Sequence, residues 1–301
     1  MRQRTTSPNS CRFLPKMKNK IILLLLALLA ATPPSCAQMM AGDTIVPERV
    51  VVKCTSYGVT FMNNLDTYLS GYNYTGSGLY LSREHFRDAR TGDHRWKYQT
   101  LLTANLGLTS LHNNTQLSGM INYNWSGYHP FRINSRLQLL AGAQAQLGGG
   151  ALYIPTNGNN LVSVKIRAAL AASGMAIYHI PTKRGDCVLR YQLDIPLAGV
   201  MFAPEFGQSY YEIFSLGDYG RTISFSHPAN SPSMRNTFSA DIPLAFKSYN
   251  STLRLSYVID ILQSDINDIR THLYNHAFTI GFVKNIYKVK KEDKNRFYSP
   301  Y

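Results

Sequence analysis

Ser209, Ser215, His227, His272 and His276 are the residues whose types could carry nucleophilic chemistry. In a lipid hydrolase or acyltransferase barrel, a histidine takes the proton of a serine hydroxyl on a neighbouring strand, and the oxygen attacks an ester carbon. No Gly-x-Ser-x-Gly frame surrounds any serine here. His272 and His276 stand four apart, on one face of a strand but ~13 Å from each other at ~3.3 Å per residue. That is too far to share a metal ion without a bend, and interfacial positions suit them better. Gly207-Gln208-Ser209-Tyr210-Tyr211-Glu212 is the densest polar and aromatic cluster. Tyr210 and Tyr211 could stack on a sugar or lipid headgroup while Gln208 and Glu212 hydrogen-bond it; the plainer expectation is that the cluster caps one end of a barrel. No Walker loop, dinucleotide fingerprint or Cys/His metal spacing occurs, so no cofactor and no metal are expected.

The elements that must position these groups repeat with a period of two. From Arg136, the odd positions read Leu137, Leu139, Ala141, Ala143, Ala145, Leu147, and the even ones Gln138, Leu140, Gly142, Gln144, Gln146. The alternation returns in Val162–Leu170, Leu189–Leu197 and Leu253–Ile261, with weaker copies in Trp96–Leu108, Leu117–Trp125, Phe238–Phe246 and Phe278–Phe282. It predicts strands with one apolar and one polar face. Several runs reach ten residues or more, against ~5–6 in ordinary strands and the ~9–11 that a tilted strand needs to cross a bilayer. Turn chemistry separates them: Asn113-Asn114, Asn157-Gly158-Asn159-Asn160, Lys183-Arg184-Gly185-Asp186 and Ser248-Tyr249-Asn250. Phe202–Pro232, with Pro204, Pro228 and Pro232, reads either as two strands joined by a loop or as a segment folded into the lumen.

Met17-Lys18-Asn19-Lys20 and the apolar run Ile21–Ala31, followed by Ser35-Cys36-Ala37, form an export signal cleaved between Ala37 and Gln38. Translation then starts at either Met1 or Met17. The run is too short to span a bilayer as a helix. Its removal leaves 25 Lys and Arg against 17 acids, so the mature charge is +8 rather than the +14 of the 301-residue chain. The bases are scattered, and no nucleic acid partner is expected. With 45% apolar and 12% aromatic residues the chain is too rich in core formers to be disordered. Cys54 and Cys187 remain after cleavage; export permits a disulfide, and the sequence leaves their pairing open.

Two architectures suit such strands: a soluble periplasmic sandwich that binds lipid, or a membrane barrel with its apolar face on lipid and its polar face on the lumen. Strand length, the export signal and the 20 tyrosines, many near strand ends, favour the barrel. Hydrocarbon then forces closure, because an open edge leaves backbone groups unpaired. The expectation is an all-β, antiparallel up-and-down transmembrane barrel of about twelve strands, ten or fourteen also fitting. It spans residues 55–287 after a lead-in at 38–54, and a basic tail, 288–301, follows. Outer-membrane lipid and the barrel-assembly machinery are its expected partners, and it is expected to be a monomer. Lys97, Arg136, Lys165, Arg167, Arg190, Lys247 and Arg254 would line the lumen with Asp194, Asp241 and Asp260. Such a lining favours anions if the pore is open; packed ion pairs would instead hold it shut.

Ser173-Gly174-Met175-Ala176-Ile177-Tyr178, Arg190–Phe202 and Gly207–Gly217 resemble domain of unknown function 3316, with Asn64–Leu69 and Phe282–Asn285 similar to its two ends. The resemblance covers about Ser56 to Tyr287. It implies exported outer-membrane barrels of bacteroidete-type Gram-negative bacteria, and it brings no activity and no catalytic residues. The basic tail departs from barrels that stop at an aromatic residue after the last strand.

Overall fold

The computed structural model describes residues 49–89, 96–158, 160–182, 185–246 and 249–288. The export segment with its cleavage point (Ala37, Gln38), Lys247 and the chain beyond Lys288 lie outside them.

Period-two alternation produces strands throughout: β1 (Arg49–Asp66), β2 (Ser70–Asp88), β3 (Lys97–Leu111), β4 (Asn114–Arg132), β5 (Leu137–Tyr153), β6 (Val162–Thr182) and β7 (Gly185–Phe202). One helical turn follows, α1 (Tyr210–Phe214), then β8 (Ile223–Ser226), β9 (Met234–Phe246), β10 (Tyr249–Ile266) and β11 (Ile269–Lys288). Neighbours pair antiparallel in sequence order, β1 pairs with β11, and β7 reaches across to β9. Ten strands therefore close a barrel, with the four-residue β8 outside the circuit, beside the last residues of β7. A single closed sheet replaces the soluble sandwich.

The expectation of about twelve strands is corrected to ten. The barrel strands run to between 13 and 21 residues, because they continue past their apolar stretches into polar rims. The 202–232 region adds only α1 and β8 where a strand pair was an alternative. β1 also begins at Arg49, inside the stretch read as a lead-in.

The register gives the tilt. Following paired residues from Gly174 through Leu193, Asn236, Ile259, His276, Phe61, Ser77, Leu108, Leu117 and Tyr153 returns to β6 at Val162, twelve residues from the start. Ten strands with that stagger lean about 40° from the barrel axis. Both strand ends, Arg49 and Lys288, lie at one rim, the terminal end. The opposite rim, the loop end, carries the long connection 203–233. It also carries the β10–β11 turn, where Asn267 and Asp268 adopt φ of 56° and 61°, a primed hairpin turn that matches strand twist.

Side chains are arranged inside out relative to a soluble protein. On β5 and β6 the apolar residues Leu147 and Leu170 are 58% and 65% exposed, while Gln144 and Gln146 are 1% and 5% exposed. Among the described residues, the two larger of the interior's apolar clusters lie toward opposite ends. Val52, Cys54, Phe86, Tyr128, Leu140, Ile177 and Val188 gather toward the terminal end. Tyr68, Tyr74, Met120, Leu152, Ile154, Ile269 and Leu273 gather toward the loop end. Cys54 is buried inside while Cys187 is half-buried at an outward position of β7, and both are free thiols.

Candidate functional site

The lumen is filled by a polar network. Glu84 on β2 lies between two arginines, accepting from Arg190 at 2.8 Å and from Arg254, while Gln99 donates to its other oxygen. Arg254 also makes a two-pronged pair with Asp241, at 2.5 and 2.6 Å. Arg235 pairs with Asp260 at 2.7 Å, Lys165 with Asp66 at 2.9 Å, and Lys97 with Asp88 at 3.2 Å. Asp194 accepts from Ser173 and Gln192, and Tyr128 joins Ser173 to Gln99. The space left among Glu84, Gln99, Arg190, Gln192, Arg235 and Arg254 is about 30 Å³, room for a water or two.

Eight of the nine described lumen candidates do point inward: Lys97, Lys165, Arg167, Arg190, Asp194, Asp241, Arg254 and Asp260. Arg136 does not. It is exposed in the β4–β5 turn, where Asn134 accepts from its backbone N–H, because the alternation of β5 was carried one residue past the strand's start. The sequence reading also missed four partners, Asp66, Glu84, Asp88 and Arg235. With them, each inward base except Arg167 meets a carboxylate, so the surplus of positive charge expected of the lumen is corrected to a set of neutralised pairs.

The second site is the cap over the loop end. Tyr210 packs edge-on against Tyr68 with ring centroids 5.6 Å apart, and stacks with Phe202 and Phe214. Its hydroxyl accepts the Val164 backbone N–H at 2.7 Å, satisfying a donor of β6 beyond the point where β7 stops. The Tyr68 hydroxyl donates to the Gln208 carbonyl at 2.8 Å. Burial raises both phenols above their ordinary value, so they serve as neutral hydrogen-bonding groups. Asn267 donates to the Ala203 and Arg221 carbonyls at 2.6 and 2.8 Å, tying the connection down.

Glu212 is engaged at the start of α1. It accepts from the Ser209 N–H at 2.7 Å and the Ser209 hydroxyl at 3.0 Å, while Ser209 Oγ accepts the Glu212 N–H, a capping box. Of the four cluster residues, Gln208, Tyr210 and Glu212 are thus structural, and Tyr211 is exposed. The Ser209 N–H and hydroxyl hold the Glu212 carboxyl below its ordinary value. Its contribution is therefore complete above the ordinary carboxylate pKa and is lost as pH falls through the lowered value. Pepsin should cut within 203–233 faster in Glu212→Gln than in the unaltered chain at mildly acidic pH, and the two rates should converge in stronger acid.

Nucleophile and base are not brought together. Among the described residues no serine hydroxyl bonds a histidine ring; Ser209 serves the capping box, His276 bonds the Tyr257 hydroxyl at 2.8 Å, and His272 stacks on Tyr274. Both last histidines face outward on β11, at half-exposed or exposed positions.

The family described as Protein of unknown function (DUF3316) matches residues 21–293. The chain belongs to this family. The family match extends beyond the Ser56–Tyr287 span over which the motifs resemble it. No curated protein matches the chain. Among solved structures it is similar to the outer membrane protease OmpT of Escherichia coli, at 6% identity and TM-score 0.44, over 81% of this chain and 99% of that one. It is also similar to the translocator domain of the autotransporter NalP of Neisseria meningitidis (12%, 0.39, 89% and 94%). A third is the attachment invasion locus protein Ail of Yersinia pestis (10%, 0.29, 78% and 99%). Neither the family match nor these neighbours brings an activity to this chain.

Proposed function

We propose that this chain is a sealed, non-conducting barrel of the outer membrane, a structural or binding element that meets its partners at the loop end. The observation behind this reading is the filled lumen: ion pairs span it, apolar clusters lie toward both rims, and the central space is about 30 Å³. A solute path would require several buried pairs to separate, each break costing about 3–5 kcal/mol. The apolar exterior supports a hydrocarbon surrounding, because a water-facing surface this rich in Leu, Ile, Phe and Trp would aggregate. The long 203–233 connection then marks the outer side. On it Phe206, Tyr211, Phe214, Leu216 and Tyr219 are exposed, a surface suited to an apolar partner. The chain reads as a monomer that reaches the membrane through the barrel-assembly machinery.

Planar bilayers test the seal. The refolded barrel should migrate faster unheated than heated on a gel and should show no conductance steps. Steps with anion preference, altered by Arg167→Glu or Arg190→Glu, would instead favour small-solute passage. Among the described residues, lipid hydrolysis has no assembled Ser–His pair in its favour.

A further inference from the structure

β7 changes partners along one edge. It pairs with β9 as far as Asp194, opposite Arg235, and with β8 from Gly199, opposite Ser226. Among the described residues, 195–198 meet no strand on that side, and on the other side the register with β6 shifts between Leu170 and Ala171. The chain 227–233 stands in for the missing strand: the Ser231 hydroxyl donates to the Gln263 carbonyl at 2.7 Å, and the Asn230 carbonyl accepts the Asp265 N–H. This makeshift wall leaves a void of about 10 Å³ lined by Arg167, Pro196, Ala198, Ser226, His227 and Ser233, room for one particle of about water's size.

Arg167 brings to this void a charge that no carboxylate meets. Among the described residues it is the one inward base without an ion pair, and its buried Nε has no hydrogen-bond partner. Asp260, whose field reaches it, is already held by two nitrogens of Arg235, at 2.7 and 3.3 Å. Gly148, opposite Arg167 on β5, makes room for the side chain, since a Cβ there would lie 3.2 Å from Nε. A guanidinium taken out of water without a counter-charge opposes folding, so an anion in the void favours the folded chain more than a water does. His227 adds a neutral donor: its Nδ1 accepts the Ala229 N–H at 3.2 Å, which leaves the ring proton on Nε2.

We infer that this void is a binding site for a single monatomic anion, chloride, held by the Arg167 guanidinium with His227 and Ser226 as neutral donors. The size of the space selects the occupant. A chloride ion is little larger than a water molecule, whereas sulfate and phosphate do not fit without displacing the 227–233 chain. Bound there, the ion joins β6 to the segment that stands in for a strand beside β7. The inference rests on the barrel's interior and goes beyond the membrane reading above.

The test takes the full-length barrel, refolded in neutral detergent without halide, and replaces sodium gluconate by sodium chloride at fixed ionic strength. The urea midpoint of the native chain should rise and then level off, because the ion binds the folded state alone. The chlorine-35 resonance should broaden; bromide should narrow it again, and sulfate should not. Arg167→Gln should weaken chloride binding by roughly tenfold or more, the worth of one hydrogen bond to a charged group, and in gluconate it should be at least as stable as the native chain. Ser226→Val, which keeps the cation and fills the void, should also lose the response, while Arg132→Gln, an exposed base at the terminal end, should keep it. No rise as chloride replaces gluconate, a rise that survives Arg167→Gln, or displacement by sulfate as strong as by bromide overturns the site. Where a variant fails to fold, the native chain's response to bromide and sulfate decides.

Discussion

Glu84→Ala should destabilise the barrel by about 3–5 kcal/mol, the largest loss expected from a single lumen residue. The carboxylate lies between Arg190 and Arg254, and all three are buried. Deleting it leaves two guanidiniums facing each other in a space too small to hydrate them. Arg254 retains Asp241, but Arg190 loses the carboxylate that neutralises it. The urea midpoint of the detergent-folded barrel, followed by gel mobility, measures the effect. A second variant separates charge from volume: Glu84→Gln with Arg190→Met leaves the Arg254–Asp241 pair whole and should cost less than Glu84→Ala alone. If the double variant is the worse of the two, the pairing argument fails.

An arginine at Leu193 should cost about 2–4 kcal/mol of barrel stability in lipid, while one at Ile166 should cost about 0–1 kcal/mol. Both side chains face outward, but at different depths. Leu193 is near the middle of β7, opposite Gly174 and Asn236. Ile166 is near the loop-end rim, opposite Phe202 at the end of β7, where a long side chain can reach water. Folding yields in vesicles of both variants give the comparison. Equal and negligible costs would mean that the outer face does not meet hydrocarbon.

The strands of the β5–β7 wall were plain in the sequence because Ala, Leu, Val and Ile occupy nearly every outward position there, against Gln, Ser, Lys and Arg within. Glu84 was missed for the opposite reason. On β1 and β2 the outward positions near the terminal end are Lys53, Thr55, Arg83, His85 and Arg87, so polar residues stand on both faces and the period of two vanishes. Arg235 opens β9 just after the Pro-rich connection, where no alternation precedes it. The cluster around Tyr210 was visible as a cluster, yet only the folded chain brings Tyr68 and Val164 to it, from positions 142 and 46 residues earlier in the sequence. The cysteine question could not be read from spacing; Cys54 faces inward from β1 and Cys187 outward from β7, four strands away round the ring, so they cannot meet.

The ring is not equally strong all round. The seam between the first and last strands is zipped from Arg49 and Lys288 to Asp66 and Thr271. The join of β7 to β9 runs only from Val188 and Asp241 to Asp194 and Arg235. Above it, β8 and single hydrogen bonds such as Asp265 N–H to the Asn230 carbonyl finish the wall. Under heat or tension the cylinder should unzip there, parting β1–β7 from the β9–β11 sheet along β7. The amide hydrogens of β9 should then exchange with solvent before those of β1, and β1 and β11 should stay fastened to each other longest.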